Sequence, residues 1–541
     1  MGSVPSSISS IGAIASQVLQ SWVPALDSRP SQRTTTNSSS SKPTPSLGRP
    51  KFAIASLSLG SNVYHTLPKK IEVAAEQGYD GIEIFIADFE AFIQEVGAGA
   101  HSELFGRFPA PAASTTAPTS IWSSWFQWNK TPESPSGQEA LEIRCAQVIG
   151  DLCASLNLSI PVLQPFRDFE NFFPPPSPSH STSSTLTDEQ MDAERREDTT
   201  ILDAALSRAD RWFKLMRHMR TDLILVNSNP LASDASPLRF EHIRASASSA
   251  PMAFEDKVSA DAALPPSPPL SSCSSDAGAD AEPSHSLDSP PSSSSSSSSY
   301  STPYNWPSTS EYYKRDLVFA FTRLADLAAK YDMRVSYEAL AWGTMVNRWE
   351  QVAEVVREVN RDNFGMVLDS FNQLAKIHAD PSTPSGLRLP SPSATTSTNL
   401  TQLTTTLSKL PPSKLFLYQI ASALPPPTKS MNNPSGGPLH NSDHGGKKGP
   451  KRMRWSRSCR VFPGESEFLP VEEMTKGVMR GLVRGDEGRE REWGNEDCWW
   501  SLEVFNDSLA DEREGVVKAH AKRGMVSLRG LWDECGNLPS A

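Results

Sequence analysis

Two carboxylates inside apolar, strand-like runs are the residues best placed to do chemistry: Glu338 in VSYEALAW and Asp369 in GMVLDSF. About thirty residues separate them, the length of one βαβ unit. A parallel strand buried on both faces is apolar at nearly every position. A carboxylate there costs several kcal/mol unless it is paired, hydrogen-bonded or bound to a cation. The pattern recurs with Gln419 in LFLYQIA and Glu503 in WWSLEVF. If these runs are neighbouring strands, three carboxylates and an amide converge at one end, where the acids repel one another without a cation. An all-oxygen donor set favours a hard divalent ion, Mg²⁺ or Mn²⁺, over zinc. The alternative for each residue is a strand-end group hydrogen-bonded to a nearby loop.

Further polar residues stand at other strand ends. Glu83 in GIEIF is a general base, a support for metal ligands, or half of a buried ion pair. Arg167, after PVLQPF, suits bidentate capture of a substrate carboxylate or pairs with Asp168 or Glu170. Arg460 in SRSCRVFPGE is a second candidate for anion capture, or a surface loop arginine. Asn229 and Asn372 would hydrogen-bond substrate hydroxyls or serve as turn residues. His65 and His378 are proton-transfer candidates or exposed loop histidines.

The elements that must position these residues alternate. Strand-type runs fall at 52–59, 81–87, 161–166, 223–228, 334–340, 364–370, 415–421 and 499–505. Between them lie helical patterns at 67–77, 139–156, 188–219, 312–331, 349–360 and 470–483, with a last one at 509–531. Pro/Ser/Thr- or Gly-rich stretches interrupt the series near 101–137, 174–187, 233–301, 381–406 and 425–450. Such compositions cannot bury enough apolar surface to offset chain entropy, and they are expected to be disordered. Without them roughly 300 residues remain, the size of one (β/α)₈ TIM barrel, expected over 51–534 with the inserts in its loops. A doubly wound open sheet would also alternate, but no GxGxxG follows the first strand.

The totals exclude several classes. A net charge of -11 over 541 residues argues against a nucleic-acid surface. The one basic cluster, 447–460, sits beside a Gly/Pro stretch and reads as a solvated loop. The six cysteines are spread out with no CxxC pair, which fits a reducing compartment and predicts neither disulfides nor a zinc framework. No apolar run approaches the roughly eighteen residues of a membrane span, so a cytoplasmic location is expected. Residues 1–50 are Ser/Thr-rich and read as a disordered extension, with a weak organelle-targeting segment as the alternative.

Together FAIASLSLG, GYDGIEIF, QPFRDFE, YEALAWGTMVNRW, GMVLDSFN and SRSCRVFPGE resemble the fungal 3-dehydroshikimate dehydratases, members of the sugar phosphate isomerase-like, xylose isomerase-type barrel superfamily. The resemblance covers most of the core and none of the inserts. It implies a barrel with one divalent metal held by Glu338, Asp369, Gln419 and Glu503. It also implies loss of water from 3-dehydroshikimate to give protocatechuate. Some members carry a catalytic histidine three residues after the aspartate; here that position is Asn372, which leaves the base to be identified. Two other readings stay open: a metal-dependent isomerase or epimerase of a sugar or cyclitol, and a non-catalytic barrel whose inserts act as scaffolding. Nothing in the sequence fixes the oligomeric state.

Overall fold

The computed structural model describes residues 48–109, 137–172, 188–229, 308–388, 396–426, 450–484, 492–493 and 499–536. The 1–50 extension falls outside them except for its last three residues. The 174–187, 233–301 and 425–450 inserts fall outside them almost entirely.

Eight parallel strands close into a barrel in chain order: Lys51–Ala55, Gly81–Phe85, Leu163–Phe166, Leu223–Asn227, Arg334–Glu338, Phe364–Asp369, Leu415–Ile420 and Trp499–Leu502. Helices follow the strands, including Leu67–Glu76, Gly137–Ser155, Asp188–Met219, Ser308–Ala329, Trp349–Val359, Val471–Leu482 and Gly515–Cys535. Apolar faces of these helices pack on the outer faces of the strands in one large core. The expected (β/α)₈ barrel is therefore the observed fold.

Side chains alternate along a strand, so each barrel strand sends every second residue inward. A separate apolar cluster of Ala53, Val162, Leu223, Leu225, Val367, Leu417 and Trp499, with Phe416, packs apart from the outer core. Trp499 closes the amino end: a Cβ on Gly81 would lie 2.7 Å from its ring, so only glycine fits beneath it. One step beyond the apolar layer, toward the carboxyl ends, the inward residues become polar. The barrel is thus plugged at one end and polar at the other, the end where barrel enzymes place their chemistry.

Several expectations are corrected. The run at 52–59 is a strand only to Ala55; Ser56–Leu59 is a 3₁₀ turn. Two short helices, Ile86–Gly97 and Ser370–Ile377, start directly at strand ends where none was read. The stretch 381–406, read as low complexity, contains most of the helix Thr396–Leu407, with Leu403 and Leu407 buried against the fold. Within the basic cluster read as a solvated loop, Lys451–Cys459 is a helix with Met453, Trp455 and Ser456 buried.

Candidate active site

Glu83, Gln164, Asn227, Glu338, Asp369 and Gln419 come from strands two to seven, Glu503 directly follows strand eight, and all sit at the polar end. Register explains the set. Asn227 lies opposite Glu338, Asp369 opposite Gln419, and Gln419 opposite Ser501. All are buried except Asn227, which is half-buried.

Each acid has named partners. Glu338 accepts from Asn372 Nδ2 at 2.8 Å and from Asn227 Nδ2. Asp369 caps the helix Ser370–Ile377: its Oδ1 accepts from the backbone of Phe371 (2.7 Å) and Asn372 (3.2 Å), a position where a carboxylate satisfies orphan helix donors. Its Oδ2 accepts from Asn372 Nδ2 at 2.9 Å and Arg460 Nη1 at 2.8 Å. Glu503 takes the same Nη1 at 3.0 Å on Oε2. Glu83 Oε2 accepts from Gln419 Nε2 at 2.9 Å and from Gln164 Nε2.

Four carboxylates thus share one sealed region with the Arg460 guanidinium, itself 1% exposed. The proton affinities of Glu83, Glu503 and Glu338 rise there. Burial, then the neighbouring Glu503 charge, pushes Glu83 up to about 8. Burial raises Glu503 to about 7 despite the opposing effect of Arg460. Glu338 is held well above the usual carboxylate range by burial and by the charges of Asp369 and Glu503. Such displaced values mark groups able to exchange protons near neutrality.

The other expected residues land in different places. Asn372 spends its amide on positioning: Nδ2 bridges Glu338 and Asp369, and Oδ1 accepts from Ala341 N at 3.1 Å. Arg460, expected to hold a substrate anion, is ion-paired to Asp369 and Glu503 instead. The short ribbon Arg460–Val461 against Ser422–Ala423 brings it there. Arg167 is half-buried at the third strand's end, its guanidinium 5.8 Å from the Phe85 ring centroid. Asn229 is buried and its backbone N–H donates to Glu170 at 2.7 Å. His65 donates from Nε2 to the Asp511 carbonyl at 2.8 Å, a loop-tying contact outside the acid cluster's hydrogen bonds. His378 is half-buried, with its pKa lowered mainly by burial. Gln164 and Asn227 were missed as site residues. Their inward parity on strands three and four was the available signal.

Among the described residues, no three His, Cys, Asp or Glu side chains are grouped as a ready metal cage. The donor chemistry nevertheless fits a hard cation. Gln419 Oε1 and Glu83 Oε1 are buried oxygens with no hydrogen-bond partner among the described residues. The carboxylates outnumber the guanidinium that touches them.

Comparison with known proteins adds names. Residues 297–462 match the family described as xylose isomerase-like TIM barrel. A 3-dehydroshikimate dehydratase of Neurospora crassa is 35% identical over 218 residues, 39% of this chain and 54% of that protein. One from Pseudomonas aeruginosa is 25% identical over 476 residues, 88% of this chain and 41% of that protein. An inosose isomerase of Bacillus subtilis is 42% identical over 60 residues, 11% of this chain and 22% of that protein. The chain spans about half the length of the curated dehydratases it matches. The resemblance read from the residues is therefore borne out: this closed (β/α)₈ barrel is similar to proteins named 3-dehydroshikimate dehydratase and matches the xylose isomerase-like TIM barrel family in its central part.

Proposed function

We propose that the chain is a hydro-lyase that removes water from 3-dehydroshikimate to give protocatechuate, a step of quinate and shikimate catabolism. The observation that carries the reading is the girdle of buried acids Glu83, Glu338, Asp369 and Glu503 at the carboxyl end of the barrel. Its support is the name shared by the two longest-matching relatives reported above.

Glu338, Asp369, Gln419 and Glu503 would hold one divalent cation, Mg²⁺ or Mn²⁺. When bound, it supplies Lewis-acid stabilisation of charge developing on the substrate ketone oxygen. The remaining roles belong to the chain. Glu83, its pKa pushed up to about 8, takes the hydrogen alpha to the ketone as a proton and returns it to the departing hydroxide, which leaves as water. Asn372 carries no titratable proton and fixes Glu338 and Asp369. Arg167 at the rim binds the ring carboxylate and Asn229 faces the substrate hydroxyls, an orientation worth orders of magnitude in rate. Arg460 balances the acids beneath. Residues 51–534 form one catalytic domain acting on a small molecule in the cytoplasm. No described helix is long and apolar enough to cross a membrane.

The short match to an inosose isomerase favours one second reading, isomerisation of a cyclitol at the same acids. Incubation with 3-dehydroshikimate and Mn²⁺, followed by aromatic absorbance, separates the two. The dehydratase reading expects protocatechuate; bound metal with no aromatic product favours the isomerase.

A further inference from the structure

Two residues beyond Glu83 and beyond Glu503 the chain carries a phenylalanine, Phe85 and Phe505. Alternation puts residues i and i+2 on one face of a strand, so the Phe85 ring sits one step nearer the carboxyl end than Glu83, while Glu503 and Phe505 follow the end of the eighth strand at Leu502. The two rings meet edge to face, centroids 6.1 Å apart at 79°. Ala55 and Leu57 back Phe85 from the first strand and its turn. Each ring also carries a guanidinium: Arg167 lies 5.8 Å from the Phe85 centroid and Arg460 lies 5.1 Å from that of Phe505.

Neither ring hangs on loose backbone. The Phe85 N–H donates to Ser56 Oγ at 3.0 Å, and that hydroxyl donates to Asp88 Oδ2 at 2.5 Å. Asp88 in turn accepts from the fully buried Lys70 at 2.8 Å. The Phe505 carbonyl accepts from Arg460 N at 3.0 Å. Above the acid girdle the chain therefore builds a fixed aromatic wall edged by positive charge.

We propose that the Phe85–Phe505 pair is the specificity-determining wall of this site, selecting a flat six-membered ring that bears a carboxylate. The proposal rests on the dehydratase reading for its choice of ligand. Aromatic rings gain from offset and edge contacts beyond the area they bury. A planar acid presents a face and an edge to the two rings, while a saturated ring of the same size meets them with axial hydrogens. The Arg167 guanidinium beside the wall complements the single negative charge. The wall therefore holds the aromatic product of the reaction more tightly than a puckered acid of like charge.

The test uses the full chain with two matched probes, benzoate and cyclohexanecarboxylate, whose binding is measured at equilibrium. Neither has hydroxyls that would chelate a metal. Benzoate is expected to bind about fivefold tighter, with the ratio falling to about one in Phe505→Leu and in Phe85→Leu and surviving in Phe505→Tyr. Thermal melting of each variant checks the fold. A ratio unchanged in both leucine variants, or no preference in the wild type, overturns the wall. Turnover of 3-dehydroshikimate is measured in parallel. Preference without turnover supports the wall and sinks the dehydratase reading; turnover without preference sinks the wall alone.

Discussion

Arg460 Nη1 lies 2.8 Å from Asp369 Oδ2, and both side chains are cut off from water, at 1% and 0% exposure. The pair joins residues 91 positions apart and places a fixed positive charge among the acids. Taking away one partner of a buried pair leaves the other charge unsolvated, at a cost of about 3–5 kcal/mol. Arg460→Gln is expected to destabilise the barrel by that amount in urea unfolding. A change below about 0.5 kcal/mol, the ordinary range for a surface substitution, would show that the acids do not depend on the guanidinium.

Glu338 is reached by Asn227 from strand four and Asn372 from the helix after strand six. Glu338→Gln keeps the shape and removes the charge. Turnover is expected to fall by about a thousandfold, the scale of losing one group that stabilises transition-state charge. Circular dichroism and the melting temperature should stay near wild type. A variant with more than a tenth of wild-type activity would remove Glu338 from the chemistry.

Lys70 and Asp88 form a second buried pair, at 0% and 4% exposure. Burial lowers the lysine's proton affinity and the aspartate offsets part of that. Lys70→Met should cost about 3–5 kcal/mol, while Lys70→Met with Asp88→Leu should recover much of it, because the unpaired charge is then gone. Chemical denaturation of both variants checks this, and a double variant no more stable than the single one contradicts it.

The acids were legible in the sequence because a lone Glu, Asp or Gln in an apolar strand has no inexpensive structural use. Register and closure then forced Glu338, Asp369, Gln419 and Glu503 to the same end. Asn227 and Gln164 were not legible, because neutral amides near strand ends look like turn residues until inward parity is known. Arg460 stands out in the sequence as a charge capable of holding an anion, but its partners, Asp369 and Glu503, do not follow from it. Its approach depends on the helix Lys451–Cys459 and a two-residue ribbon, both hidden inside a basic, Gly/Pro-flanked stretch. The helix Thr396–Leu407 was masked by its threonines, although Leu400, Leu403 and Leu407 repeat at helical spacing.

His520 gives the fold a pH dependence. Burial, with smaller effects of Arg523 and His65 opposed by Asp511, lowers its pKa to about 3. Its Nε2 meets Ser508 Oγ at 3.3 Å, Nδ1 has no partner among the described residues, and its ring lies against Phe462. The folded state therefore binds this proton less well than the unfolded chain, whose histidine titrates near 6.5. Above that pH the group contributes no penalty. As pH falls from 6.5 toward 3, stability drops by about 1 kcal/mol per unit. In His520→Gln the slope of unfolding free energy over pH 4–6 should be flatter. An unchanged slope would assign acid lability elsewhere.

The most direct test of the central claim is the aromatic absorbance produced from 3-dehydroshikimate by the full chain, before and after chelation and on readdition of Mn²⁺. Protocatechuate should form, stop on chelation, return with the metal, and stay absent in Glu338→Gln. Metal-loaded protein that leaves 3-dehydroshikimate unchanged, or a Glu338→Gln variant that produces protocatechuate at the wild-type rate, would contradict the account.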